Sequence, residues 1–175
     1  MRRSLLLLRH AKAKRPTPDL EDFDRALNGR GRDAARLVGK LLRTERLVPD
    51  LVLCSPARRT RETWELVENS LGKKAPAAYD GALYLANPTT ILKIVRRQAD
   101  AVRRLMVVGH NPGLERLALA LAGEAAEDDI ARMHAKFPTA ALAAISFEAR
   151  RWRDIDPGTG RLERYLVPRD LAEIA

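Results

Sequence analysis

The chain has 175 residues, enough for one domain with a substantial core. Its 32 Lys and Arg against 23 Asp and Glu leave a formal net charge of +9, which favours anionic partners such as phosphates, acidic proteins or nucleic acid. Ordinary apolar content excludes a disordered chain, one cysteine excludes an intramolecular disulfide or a cysteine-rich metal site, and scarce aromatics argue against a stacking platform for nucleic acid.

The first element is Leu5-Leu6-Leu7-Leu8, a run too short for a membrane span and suited to a buried strand, which ends on Arg9-His10. Met1-Arg2-Arg3 imitates the charged start of a signal peptide, but the apolar run after it is too short. The expected compartment is therefore the cytoplasm, with no membrane partner. A polar loop follows from Ala11 to Asn28. Its segment Asp22-Phe23-Asp24-Arg25-Ala26-Leu27 mixes charge with apolar anchors, as in a loop folded back over the strand ends. Gly29 and Gly31 precede a helix over roughly 31–45, and Pro49-Asp50 breaks the chain before a strand at 51–54.

Ser55 as N-cap and Pro56 in the first turn announce the next helix, which Gly72 ends. A short strand is expected near Ala82 to Leu85 and a helix from Asn87-Pro88 to about Ala99. Then come a strand at 105–109, a helix from about 113 to 122 and a short helix within 124–136. A strand over 140–147, a turn at Pro157-Gly158-Thr159-Gly160 and a paired strand over 161–167 complete the pattern. Trp152 and Tyr165 are expected to pack across strands. Alternating strands and helices predict a single α/β domain over 1–175, a three-layer α/β/α sandwich with a mostly parallel sheet and a hairpin at one edge.

Three of these strands end on reactive or cationic residues. Leu5–Leu8 runs into Arg9-His10, Leu105–Gly109 into His110, and Leu51–Cys54 into Ser55-Pro56 and a helix carrying Arg58, Arg59 and Arg61. Ligands of open α/β sheets bind beyond the carboxyl ends of the strands. A parallel sheet would therefore present His10, Arg59 and His110 to one edge. His134, the third histidine, lies in a polar helical stretch with no such placement. Cys54 sits inside an apolar run and reads as a buried, inert thiol. Neither strand-end histidine has the neighbours of a familiar zinc site, so no metal is expected.

The stretches Leu8-Arg9-His10-Ala11-Lys12, Ser55-Pro56-Ala57-Arg58-Arg59-Thr60-Arg61-Glu62-Thr63 and Val108-Gly109-His110-Asn111-Pro112 resemble, in order, the motifs of the histidine phosphatase superfamily, with its phosphoglycerate-mutase-like fold. The family's spacing from the serine selects Arg59 over Arg58 and matches Thr63. Small size, the lack of a long inserted cap and the Asp22-x-x-Arg25-x-Leu27 segment make the likeness greatest to SixA-type phosphohistidine phosphatases. The resemblance implies a covalent nucleophile at His10, a second catalytic histidine at His110, and catalytic arginines at Arg9 and Arg59. It implies phosphate contacts from Arg9, Arg25, Arg59, His110 and Asn111, with no metal or organic cofactor.

The chemistry agrees with these roles. A phosphoryl group in transfer spreads negative charge over its oxygens, which bidentate guanidinium groups match. Neighbouring cations keep a histidine nucleophile unprotonated, and backbone N–H groups of the helix after His110 favour an anion.

One departure bears on the substrate. Many members carry an acid beyond the middle motif that protonates an alkoxide leaving group. Here Asp80-Gly81-Ala82-Leu83-Tyr84-Leu85 has Ala82 or Leu83 at that place, and Ala11-Lys12 stands where Gly-Glu is commoner. A phosphoramidate such as phosphohistidine on a protein, the substrate of a signalling phosphatase, leaves without such an acid. The alternatives are a phosphatase for small phosphate esters using Asp22, Asp24 or Asp80, a non-catalytic phosphate-binding regulatory module, and a basic nucleic-acid binder. The oligomeric state is not written in the sequence.

Overall fold

Residues 1–174 are described in the computed structural model. The leucine run forms β1 (Arg2–Arg9), an inner strand of a seven-stranded sheet. The other strands are β2 (Leu51–Cys54), β3 (Ala77–Tyr79), β4 (Arg104–Gly109), β5 (Ala122–Glu124), β6 (Leu142–Glu148) and β7 (Gly160–Leu166), in the order β3-β2-β4-β1-β6-β7-β5. β1 pairs parallel with β4, β4 with β2, and β2 with β3, whereas β6 runs antiparallel to both β1 and β7. β5 joins β7 in parallel, so β6 alone runs against the rest.

Successive side chains of a strand point to opposite faces, and β1 divides accordingly. Leu5 and Leu7 enter one apolar cluster with residues of α3 (Pro88–Arg96), α4 (Gly113–Leu121) and α5 (Glu127–Ala135). Leu6 and Leu8 enter the other with α1 (Gly29–Thr44), α2 (Arg58–Leu71) and α6 (Pro168–Ile174). All four leucines are fully buried. At roughly 1.5–3 kcal/mol for each such side chain, they hold β1 in the middle of the three layers. The α/β/α sandwich with a mostly parallel sheet is thus the observed fold.

Several local expectations change. α1 includes Gly29 and Gly31, because Asn28 is the cap and its side chain accepts from the Gly31 N–H at 2.8 Å. Ser55 does not cap α2, which starts after Ala57 without a side-chain cap; the hydroxyl is taken by His110 instead. The expected strand near Ala82 is a 3-10 turn over Gly81–Leu83, folded by the Asp80 side chain accepting from the Ala82 N–H, while the strand lies earlier, at β3. Trp152 sits in a 3-10 turn rather than opposite Tyr165. Its ring N–H donates to the Val102 carbonyl at 2.8 Å, and the Tyr165 hydroxyl donates to Lys136. β5 lies outside the β6–β7 hairpin as the edge strand, and α6 adds a helix where none was expected. Both are short, and neither has an apolar run that would announce it.

α1 and α2 cross at Gly39. A Cβ there would lie 2.3 Å from the Val67 carbonyl oxygen and 2.7 Å from the Ser70 Cβ. Gly39→Ala is expected to destabilise the protein by about 1–3 kcal/mol through overpacking, although in an exposed helix the same change would stabilise by about 1 kcal/mol. Equilibrium urea unfolding reads the sign. A stabilised variant would show that the two helices part without cost.

Candidate active site

β1 and β4 end level, with Arg9 opposite Gly109. The His10 N–H continues the ladder onto the Gly109 carbonyl at 3.0 Å, and the Ser55 N–H reaches Val108 at 3.0 Å. Three strand ends therefore meet, and the His10 and His110 rings stand 5.4 Å apart between centroids. Thr63 of α2 steadies the chain beyond His10: its hydroxyl accepts from the Ala11 N–H at 3.0 Å and donates to the Arg59 carbonyl at 2.6 Å. From the other side the Ala140 N–H donates to the His10 carbonyl at 3.0 Å. Ala140 does so at φ 61°, a left-handed conformation costly for a residue with a Cβ.

Both histidines are buried and held neutral. His10 Nδ1 faces the Ala11 carbonyl at 2.8 Å. A carbonyl accepts only, so Nδ1 carries the proton and the Nε2 lone pair is free. Burial, reinforced by Arg59, Arg9 and Arg25, lowers the His10 pKa to about 4 against the opposing pull of that carbonyl. His110 Nδ1 accepts from Arg59 at 3.3 Å, which leaves the proton on Nε2, 2.7 Å from the Ser55 hydroxyl. Burial, with His10 and Arg59 beside it, lowers the His110 pKa to about 3.

Arg59 is 2% exposed and Arg58 faces solvent, paired with Glu62 at 2.7 Å, so the register of α2 turns only one of the two toward the histidines. Arg59 donates to the Asp22 carbonyl at 2.7 Å and to Asp22 Oδ2 at 3.0 Å. Arg9 donates to the Phe137 carbonyl at 2.9 Å. Among the described residues, the Nε atoms of Arg9 and Arg59 are buried without a hydrogen-bond partner. Buried donors are seldom left unpaired in folded proteins. Two orphaned guanidinium N–H groups beside two neutral histidines fit an incoming oxyanion.

The 11–28 loop folds back as its composition predicts. It is tied by an Ala13–Leu27 bridge and by the Leu27 N–H on Glu62 at 2.7 Å. This brings Arg25 and Asp22 to the site, where Arg25 Nε and Nη2 grip Asp22 Oδ1 at 3.0 and 2.8 Å. The Tyr84 hydroxyl donates to Asp22 Oδ2 at 2.6 Å. That bond, followed by those from Arg25 and Arg59, holds the Asp22 carboxyl far below the usual carboxylate range. Asp80 is spent on the Ala82 N–H and Asp24 is exposed. Leu83 is buried in the core on the far side, so the residue of that stretch that reaches the site is Tyr84.

Asn111 turns its amide N–H to the Phe137 carbonyl at 2.8 Å, the same oxygen that receives Arg9. Ser55 and Tyr84 are the site residues that sequence reasoning missed. Ser55 stood inside a quoted motif but read as a cap, and Tyr84 carried no signal beyond closeness to the expected acid. Cys54 is fully buried, which pushes its thiol far up and leaves it unreactive. Among the described residues no three His, Cys, Asp or Glu side chains group as metal ligands would, and no helix is long and apolar enough to cross a membrane. A concavity of about 640 Å³ among Arg2, Ser4, Arg104, Ser146 and Glu163 lies at the opposite ends of the same strands, away from both histidines.

Comparison with known proteins agrees with the fold described above. Residues 5–83 match the model of the histidine phosphatase superfamily (branch 1). An uncharacterized protein of Mycobacterium tuberculosis, Rv1276c, is 39% identical over 93% of this chain and the whole of its own length. A SixA protein of Agrobacterium tumefaciens, assigned as a phosphohistidine phosphatase, superposes with a TM-score of 0.81 at 33% identity, covering 95% of this chain and 98% of its own. The corresponding protein of Nakamurella multipartitia gives 0.84 at 27% identity, over 96% and 97%. The phosphoglycerate-mutase-like sandwich thus has its explanation in descent: the chain belongs to the histidine phosphatase superfamily, branch 1, with SixA-type proteins among its structural relatives.

Proposed function

We propose that the protein is a phosphatase that removes phosphate from phosphohistidine on a partner protein, through a phosphohistidine intermediate at His10 and without a metal or organic cofactor. One observation carries this reading: the histidines are held neutral while the carboxylate that touches the arginines is held ionised. The site thus offers a ready nucleophile and no ready proton donor. A phosphoramidate suits that combination, because its imidazole leaves without the proton an alkoxide requires. The size, fold and SixA-type likeness support the same substrate class, and the proposed setting is signal transduction in the cytoplasm.

In the proposed reaction the phosphoryl group enters among Arg9, Arg59 and Arg25, whose guanidinium groups neutralise its oxygens. The Nε2 lone pair of His10 attacks phosphorus while the proton stays on Nδ1 against Ala11. His110 stabilises the transferring group through Nδ1, since Ser55 engages its Nε2–H. The arriving negative charge favours protonation there, against the burial that holds the ring neutral beforehand. Asn111 acts with Arg9 through their shared bond to Phe137. Water then releases phosphate from His10.

The small-ester reading needs a protonated acid, and Asp22, the candidate acid in contact with the arginines, is the group most firmly kept ionised. A purely phosphate-binding module would not need the Nδ1–Ala11 bond that presents the His10 nucleophile.

The proposal is tested by kcat/KM across phosphohistidine peptide, aryl phosphates and alkyl phosphates. Activity is expected to fall steeply as the leaving group becomes more basic. A flat dependence abolished by removing one aspartate would establish the small-ester phosphatase instead. Quenched turnover is expected to leave acid-labile phosphate on the wild type and none on His10→Ala; label that survives the substitution would move the nucleophile elsewhere. Arg59→Ala is expected to cost on the order of 10²-fold or more in kcat, whereas Arg58→Ala, which loses one solvent-exposed ion pair, changes the rate little. Equal damage from both would contradict the proposed clamp.

A further inference from the structure

Asp22 takes no part in the transfer just described, yet four donors converge on it. Oδ1 accepts from Arg25 twice, and Oδ2 accepts from Arg59 at 3.0 Å and Tyr84 at 2.6 Å. Together they fill the acceptor positions of a carboxylate. A bound phosphoryl group competes for three of the four, those of Arg25 on Oδ1 and that of Arg59 on Oδ2. We propose that Asp22 selects the leaving group: once a phosphoryl group draws Arg59 away, the freed Asp22 oxygen accepts the N–H of the distal ring nitrogen of a phosphorylated imidazole. This rests on the phosphohistidine reading and names the residue that discriminates within it.

The electron count shows why that contact matters. With its distal nitrogen protonated, the phosphorylated imidazole is a cationic ring. The P–N bond breaks with its electron pair going to the ring nitrogen, a P–N bond forms to His10 Nε2, and the ring departs as neutral imidazole. Its proton stays where it was, on the distal nitrogen, so none has to be delivered. The enzyme's own nucleophile is built the same way, with Nδ1–H on the Ala11 carbonyl and Nε2 free to carry phosphate. Asp22 would do for the substrate ring what Ala11 does for His10, with a full negative charge facing a full positive one.

The surroundings suit a flat ring. Phe23 and Tyr84 stand edge to face at 5.1 Å beside Asp22, and Tyr84 stands edge to face with His110 at 5.4 Å. Asp22 is partly exposed, with 45% of its side chain accessible, so a ring arriving from solvent can reach it. An alkyl phosphate brings no N–H to the freed oxygen. The carboxylate would then oppose both the phosphoryl charge and the developing alkoxide. Selection thus combines an attraction for the right substrate with a repulsion for the wrong one.

The test compares Asp22→Asn with the wild type on a phosphohistidine peptide and on p-nitrophenyl phosphate. On the peptide kcat/KM is expected to fall by about tenfold or more, the scale of a lost charged hydrogen bond. On the aryl phosphate it is expected to rise, since an amide competes less for Arg59. Tungstate binding at least as tight as in the wild type shows that the variant is folded. Parallel changes on the two substrates overturn the proposal. If the wild type turns over no phosphohistidine at all, the functional reading itself fails and this inference falls with it.

Discussion

Parallel pairing of β1 with β4 is the constraint from which the site follows. Ser4 to Arg9 lie opposite Arg104 to Gly109 without a break, and the His10 N–H extends the ladder by one further bond to Gly109. Two strands in this register finish level, so His10 and His110 emerge side by side. A slip of one residue would turn Leu5 and Leu7 toward the layer that receives Leu6 and Leu8, and would separate the histidines by the same step. The apolar faces of the leucines therefore fix the alignment of two rings that contribute little to the core themselves.

Gathering Arg9, Arg25 and Arg59 around those rings places like charges together out of water, which is costly unless each is paired. The protein answers with oxygens brought from distant parts of the chain: the carboxylate and carbonyl of Asp22, the carbonyl of Phe137 and the carbonyl of Lys14. Two of the three arginines still keep an orphaned buried N–H. That residual positive field also acts on the histidines, adding to the burial that keeps both neutral. The same arrangement that suits an oxyanion thus keeps His10 in the neutral state that the proposed nucleophile requires.

Asp22 is the pivot of this balance. It neutralises part of the cationic cluster in the free protein, and the bonds from Tyr84, Arg25 and Arg59 keep it ionised where a general acid would have to be protonated. A carboxylate in that state accepts hydrogen bonds and repels anions. On the proposed reading, that state favours a leaving group that brings its own proton over one that must borrow it.

Much of this was legible in the sequence because it depends on local pattern. Apolar runs ending on Arg9-His10 and Gly109-His110 could be read as strand ends, and the resemblance to the superfamily's middle motif pointed to Arg59 over Arg58. Helical periodicity fixes which of two neighbouring arginines shares the face of Thr63. Other features could not be read this way. Ser55 has the right residue type and place for a cap, and only the approach of β4 assigns its hydroxyl to His110. Tyr84 follows a turn folded by Asp80 accepting from the Ala82 N–H, which leaves Leu83 in the apolar core and the Tyr84 ring beside His110. Of the three aspartates that could have been the acid, the sequence ranks none, because their spacing to Arg59 and Tyr84 exists only after the 11–28 loop has closed over the strand ends. The chain by itself determined the layers and the strand-end histidines, since short-range periodicity and burial set them. The tertiary structure decided the protonation of His10, His110 and Asp22, because the charges and hydrogen bonds that set it come from residues far apart in sequence.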